Sequence, residues 1–135
     1  MSNQTTALDS YYENVMRLGN LRTPAHAERV TFGVLRSLGF VLSGSTKKKL
    51  AKALPEEWAF HLTRGWRLIN IRHKNLTVDE FAKDVSLHSG NTDRAVAKVM
   101  TKIVFGQIKS QIDHGLIRDV AKDLSPEVRD FWNAA

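Results

Sequence analysis

Five histidines, two pairs of adjacent carboxylates and one serine-flanked glycine are the residues whose types suit chemistry. The histidines are His26, His61, His73, His88 and His114. A metal site needs spacings such as HxxxH or HExxH, or a cysteine–histidine cluster, and none occurs. His26 falls in the first turn of an expected helix, where the dipole disfavours a proton. His88 suits a half-buried place at a helix end, and His114-Gly115 reads as a helix C-terminus. The carboxylate pairs are Glu56-Glu57 and Asp79-Glu80. Acid–base catalysis needs carboxylates that face each other across a substrate, whereas neighbours at a helix start point apart. Ser43-Gly44-Ser45 follows no strand and has no lysine at phosphate-loop spacing, so it reads as a turn. No catalytic residue, metal site or cofactor follows from these groups.

Charge is the remaining signal. The chain of 135 residues carries a formal net charge of +6. Residues 1–45 contribute +1, residues 46–76 contribute +6 and residues 77–135 contribute −1. The whole excess therefore lies in the middle. Lys47, Lys48 and Lys49 fan around an expected helix start and oppose its dipole, at a cost of a few tenths of a kcal/mol each. Arg64, Trp66, Arg67, Arg72 and Lys74 interleave bases with an aromatic, as single-strand or backbone binders of nucleic acid do. The same eight residues also read as a solvated face that keeps the protein soluble.

The elements that must position them are helical. The central one runs from Pro24 to Leu42. Thr23 suits its N-cap and Pro24 its first position. Ala27, Val30, Val34, Leu38 and Val41 or Leu42 recur at three- and four-residue steps. Phe32, Leu35 and Phe40 widen the apolar stripe, so more than one side is buried. Gly33 and Gly39 each cost about 1 kcal/mol against alanine in a helix, which is either tolerated weakness or close approach by another helix.

Before it, residues 1–6 look frayed. Leu8, Tyr11, Val15 and Leu18 mark an amphipathic helix ended by Gly19 and Asn20. After it, Ser45 suits the cap of a third helix with Leu50 and Leu54 inward. Leu54-Pro55 forces a turn. A fourth helix follows, with Trp58 and Leu62 on one face. Trp66 to Leu76 reads as a connection, and Thr77 to Glu80 has the spacing of a capping box.

The pattern then repeats under an ungapped shift of seventy residues. Leu8, Tyr11 and Val15 fall on Val78, Phe81 and Val85. Ala27, Val30, Val34, Leu38 and Leu42 fall on Ala97, Met100, Val104, Ile108 and Ile112. Leu50, Leu54, Trp58 and Leu62 fall on Val120, Leu124, Val128 and Trp132. Lys52 recurs as Lys122, while Lys47 falls on Ile117. The expected fold is all-α: two four-helix repeats, residues 1–65 and 77–135, joined by a basic connection at 66–76. Neither repeat buries much core alone, so the two are expected to pack as one pseudo-two-fold globule.

The core Val34-Leu35-Arg36-Ser37-Leu38, a short polar helix, and then Leu54-Pro55-Glu56 resemble the bacterial proteins of domain-of-unknown-function family 2267. The resemblance covers residues 8–132 and is clearer in the first copy. It implies an all-helical, duplicated, cytoplasmic protein and carries no catalytic residue to transfer.

There is no cysteine, so disulfides and thiol chemistry are excluded and nothing argues for an oxidising compartment. The N-terminus has no basic start or apolar run, and no stretch reaches the length of a membrane span, so a cytoplasmic protein is expected. Three functions follow. A non-enzymatic scaffold would dock a protein partner through an apolar patch around Trp58, Trp66 or Trp132. A nucleic-acid binder would bring the bases of 46–76 to one face. An enzyme would need a polar-lined pocket between the copies.

Overall fold

The computed structural model describes the backbone of residues 3–64 and 75–135 and the side chains of 10–64 and 75–135. These residues form eight helices and no strand. They are α1 (Asn3–Leu18), α2 (Pro24–Val41), α3 (Gly44–Ala53), α4 (Glu56–Arg64), α5 (Val78–His88), α6 (Arg94–Lys109), α7 (His114–Asp123) and α8 (Pro126–Ala134). Shifted by seventy, α3 and α4 fall on α7 and α8 without a residue of slip. The start of α2 falls on that of α6, and the end of α1 on that of α5.

The caps explain this register. Thr23 and Asp93, seventy apart, accept amides in the first turns of α2 and α6. Ser43 and Asp113, also seventy apart, do the same for α3 and α7. Each such cap stabilises its helix by about 1 kcal/mol. Thr77 and Glu80 close the expected capping box of α5 through reciprocal bonds of 3.0 Å. Asn20 at φ 54° and Gly90 at φ 77° turn the chain left-handed after α1 and α5. In each case an amide bonds back five residues, from Leu21 to Met16 and from Asn91 to Ser86.

α2 is the centre of the packing and touches α1, α4, α5 and α6. Its two glycines are close-approach residues. A Cβ on Gly33 would stand 2.9 Å from the Val85 carbonyl of α5, and a Cβ on Gly39 would collide with the Leu62 carbonyl of α4. Thr31 and Thr101 lie buried at matching places, each donating a 2.7 Å bond to the carbonyl of Ala27 or Ala97. One continuous core holds residues of all eight helices. α2 on α5, α2 on α6, α1 on α6 and α3 on α7 join the first four helices to the last four.

Several expectations are corrected. The backbone is helical from Asn3, not frayed through residue 6. No glycine or proline interrupts this stretch, so the helix propagates backward from its packed end. On α1 the inward residues are Tyr12 and Val15, while Leu18 is 59% exposed. Ser43, not Ser45, caps α3, which leaves Lys47 at the end of the first turn and moves Lys48 and Lys49 beyond it. There the dipole opposes them less, because its field fades beyond that turn. His114 opens α7 instead of closing α6, because Asp113 accepts the Leu116 amide at 2.8 Å. Trp58 and Trp132 are fully buried, and each indole N–H has a partner at 3.2 Å: the Tyr12 hydroxyl and the Ile117 carbonyl. No apolar surface patch is built on either. No helix among the described residues is long and apolar enough to cross a membrane.

Candidate functional site

His26, His61, His88, Asp79 and Glu80 each have a side-chain or backbone partner in the fold. Among the described residues, no three histidine, cysteine or acidic side chains come together as metal ligands. His26 Nε2 lies 3.3 Å from the Thr92 hydroxyl, which superficially pairs a base with a nucleophile. The Thr92 hydroxyl also donates to the Ser89 carbonyl and accepts from the Ser89 hydroxyl. Its proton is committed, and the group pins the turn between α5 and α6 onto the start of α2. His88 sits 3.6 Å from Asp84 one turn earlier. Asp79 pairs with Lys98 at 3.3 Å, and Glu80 belongs to the capping box.

His61 is strongly perturbed. Its ring stacks on Phe32 at 3.7 Å, and Arg36 Nη2 lies 3.4 Å from its Nδ1. Nδ1 must therefore accept, which leaves Nε2 protonated. Burial, then the charges of Arg36 and Arg64, push its pKa from 6.5 down to about 4. In the unfolded chain the ring takes a proton near 6.5, whereas the folded ring resists until about 4. The folded state thus binds fewer protons, and this group's stabilisation falls as pH drops through that window. Discounted for solvent screening, the loss is about 1–2 kcal/mol. Urea unfolding at neutral and mildly acid pH checks this: His61→Gln should lose less stability on acidification than wild type.

The basic residues tell more. α3 lies between α4 and α7. Its inward face carries Thr46 and Leu50, and the inward face of α7 carries Leu116 and Val120. The opposite face of α3 bears Lys48 and Lys52, one turn apart and exposed. That of α7 bears Arg118 and Lys122, also exposed and one turn apart. These are matching positions in the two halves under the shift of seventy residues. Lys49 meets Asp119 at 3.6 Å where the helices touch. The Ser43 amide donates to Asp123 at 2.9 Å and ties the start of α3 to the end of α7. The two outward faces thus form one surface, a basic seam across both halves of the chain.

Of the residues expected to bind, the structure places Lys48 and Lys49 on this seam. Lys47 is half-buried, and burial lowers its pKa, so it leaves the outward face. Arg64 ends α4 with its guanidinium 5.2 Å from the centroid of the Phe60 ring. Trp66, Arg67, Arg72 and Lys74 lie outside the described residues. Arg118 and Lys122 were missed because charge was counted along the chain, where residues 77–135 are net acidic. The recurrence of Lys52 as Lys122 was the available signal.

Residues 8–131 match the sequence profile of the DUF2267 family, described as an uncharacterized conserved protein. The chain belongs to that family. The match begins within α1, ends within α8 and so contains the whole basic seam of this DUF2267 chain. No curated protein matches it.

Proposed function

We propose that this DUF2267 chain is a non-enzymatic binding module that holds the phosphate backbone of a nucleic acid on the outer face of α3 and α7. The observation that carries the reading is the seam itself. Lys48, Lys52, Arg118 and Lys122 are exposed on two helices that touch at Lys49 and Asp119. We read the halves as two copies of one unit, so the seam doubles a single pair of cations.

Charge alone does not choose between a nucleic acid and an acidic protein. The side chains around the cations do. Gly44 and Ser45 on α3 and His114 and Gly115 on α7 are other exposed residues beside these cations, and none carries an aliphatic or phenyl side chain. Stable protein interfaces are built on a buried aromatic or aliphatic centre, and the outer face of α3 and α7 by itself offers none. Phosphate contacts need only cations and carry no sequence information. A cysteine-free chain suits the reducing cytoplasm, where we place the module.

The reading is tested by measuring affinity for labelled nucleic acid against salt. About four net contacts give a log–log slope near −4 on duplex DNA, or roughly a hundredfold loss between 50 and 200 mM salt. Binding that ignores salt, or capture of an acidic protein in preference to nucleic acid, overturns it. Asp119→Asn sharpens the test, because it removes the acid from the seam and releases Lys49. Binding should strengthen severalfold. Stability should change by about 0.5 kcal/mol at most, since the exposed pair is worth little.

A further inference from the structure

We infer that the nucleic acid held by the seam is single-stranded, and that Phe60 is the platform on which one of its bases stacks. The inference rests on the proposed function and adds the form of the strand. α3 packs against α4 as well as α7, so α4 borders the seam. On α4, Trp58 and Leu62 turn inward, and Phe60 between them turns outward with 54% of its surface exposed.

A lone exposed apolar residue is ordinary, but this ring is held in place. The Arg64 guanidinium lies 5.2 Å from its centroid, within cation–π range. His61 meets it edge-on, with centroids 5.2 Å apart and planes at 89°. His61 is itself fixed by its stack on Phe32 and by Arg36. A fixed ring with a cation beside it is what an unpaired base and its phosphate require. Bases in a duplex are already stacked on their neighbours and offer no free face.

The other end of the surface differs. The positions in α8 that correspond to Phe60 and Arg64 are Asp130 and Ala134, and Glu127 is exposed nearby. That end carries an acid where α4 carries Phe60, and its own ring, Phe131, packs against the core instead. The strand therefore runs from α7 across α3 to α4.

The test compares a labelled oligothymidylate with a labelled duplex of equal length, on the full chain, by fluorescence anisotropy. Wild type should prefer the single strand. Phe60→Ala should weaken single-strand binding about tenfold and leave duplex binding unchanged, and Phe60→Tyr should restore the preference. Phe60 is exposed, so the variants should melt like wild type. If Phe60→Ala leaves the ratio of the two affinities unchanged, the stacking inference is overturned while salt-sensitive binding stands. If wild type binds neither probe in a salt-dependent way, the proposed function itself is overturned.

Discussion

Gly39→Ala should lower the stability of the chain by about 3 kcal/mol and its melting temperature by about 10 °C. The added Cβ has no space, because the backbone carbonyl of Leu62 already occupies its position. A flexible side chain would swing aside, but a helix carbonyl moves only with its helix. α4 must back away, and with it the buried Trp58 and Leu62, which pack α4 into the core. The gain in helix propensity, about 1 kcal/mol, offsets only part of this. Gly44→Ala is the matched control. Its Cβ would meet nothing within 4 Å. It should be neutral or stabilise by up to about 0.5 kcal/mol. Urea unfolding of the two variants reads the difference directly. Equal stability would mean that α2 and α4 do not approach backbone to backbone.

Joint reversal of Lys48 and Arg118 to glutamate should abolish nucleic-acid binding, weakening it at least a hundredfold at moderate salt. The residues are seventy apart in the chain, yet on adjacent helices. Each reversal removes a cation and adds a repulsive charge to the same surface. Both side chains are exposed, so folding should be unaffected. The control reverses Lys83 and Lys102, exposed residues of α5 and α6, and changes the net charge equally. If the control weakens binding as much, the effect is one of overall charge and no seam exists. Anisotropy titrations of the two double variants, side by side, make the comparison.

The helices were legible in the sequence because their determinants are local. Spaced apolar residues, Thr23 with Pro24, and Leu54 with Pro55 specify starts and stops without tertiary information. The recurrence of apolar positions under the seventy-residue shift then pointed from the first set to the second. Errors arose where two nearby residues can do the same job. Ser43 and Ser45 both suit a cap, and only the backbone angles decide. His114 follows Asp113, whose carboxylate is the stronger signal, and so opens a helix instead of closing one. The glycines of α2 were ambiguous because propensity does not report what lies across a helix. Here Val85 and Leu62 lie across it, and both are distant in sequence.

The proposed binding surface was half legible for a related reason. A run such as Lys47-Lys48-Lys49 is conspicuous, but a helix scatters neighbours by about 100° each. Only Lys48 faces fully outward, Lys49 turns to the α7 contact and Lys47 is half-buried. The partners of Lys48 and Lys52 come from the other half of the chain. Counting charge in windows hid them, because Asp113, Asp119 and Asp123 surround them in sequence. In the fold those acids are engaged, with the Leu116 amide, Lys49 and the Ser43 amide.

Amide chemical-shift mapping during titration with an oligonucleotide tests most directly whether both halves build one binding face. Perturbations should cluster on residues 45–52 of α3 and 115–122 of α7 together, and should fade as salt is raised. Shifts confined to one of the two helices, or gathered on α5 and α6 instead, would contradict a seam shared between the two halves.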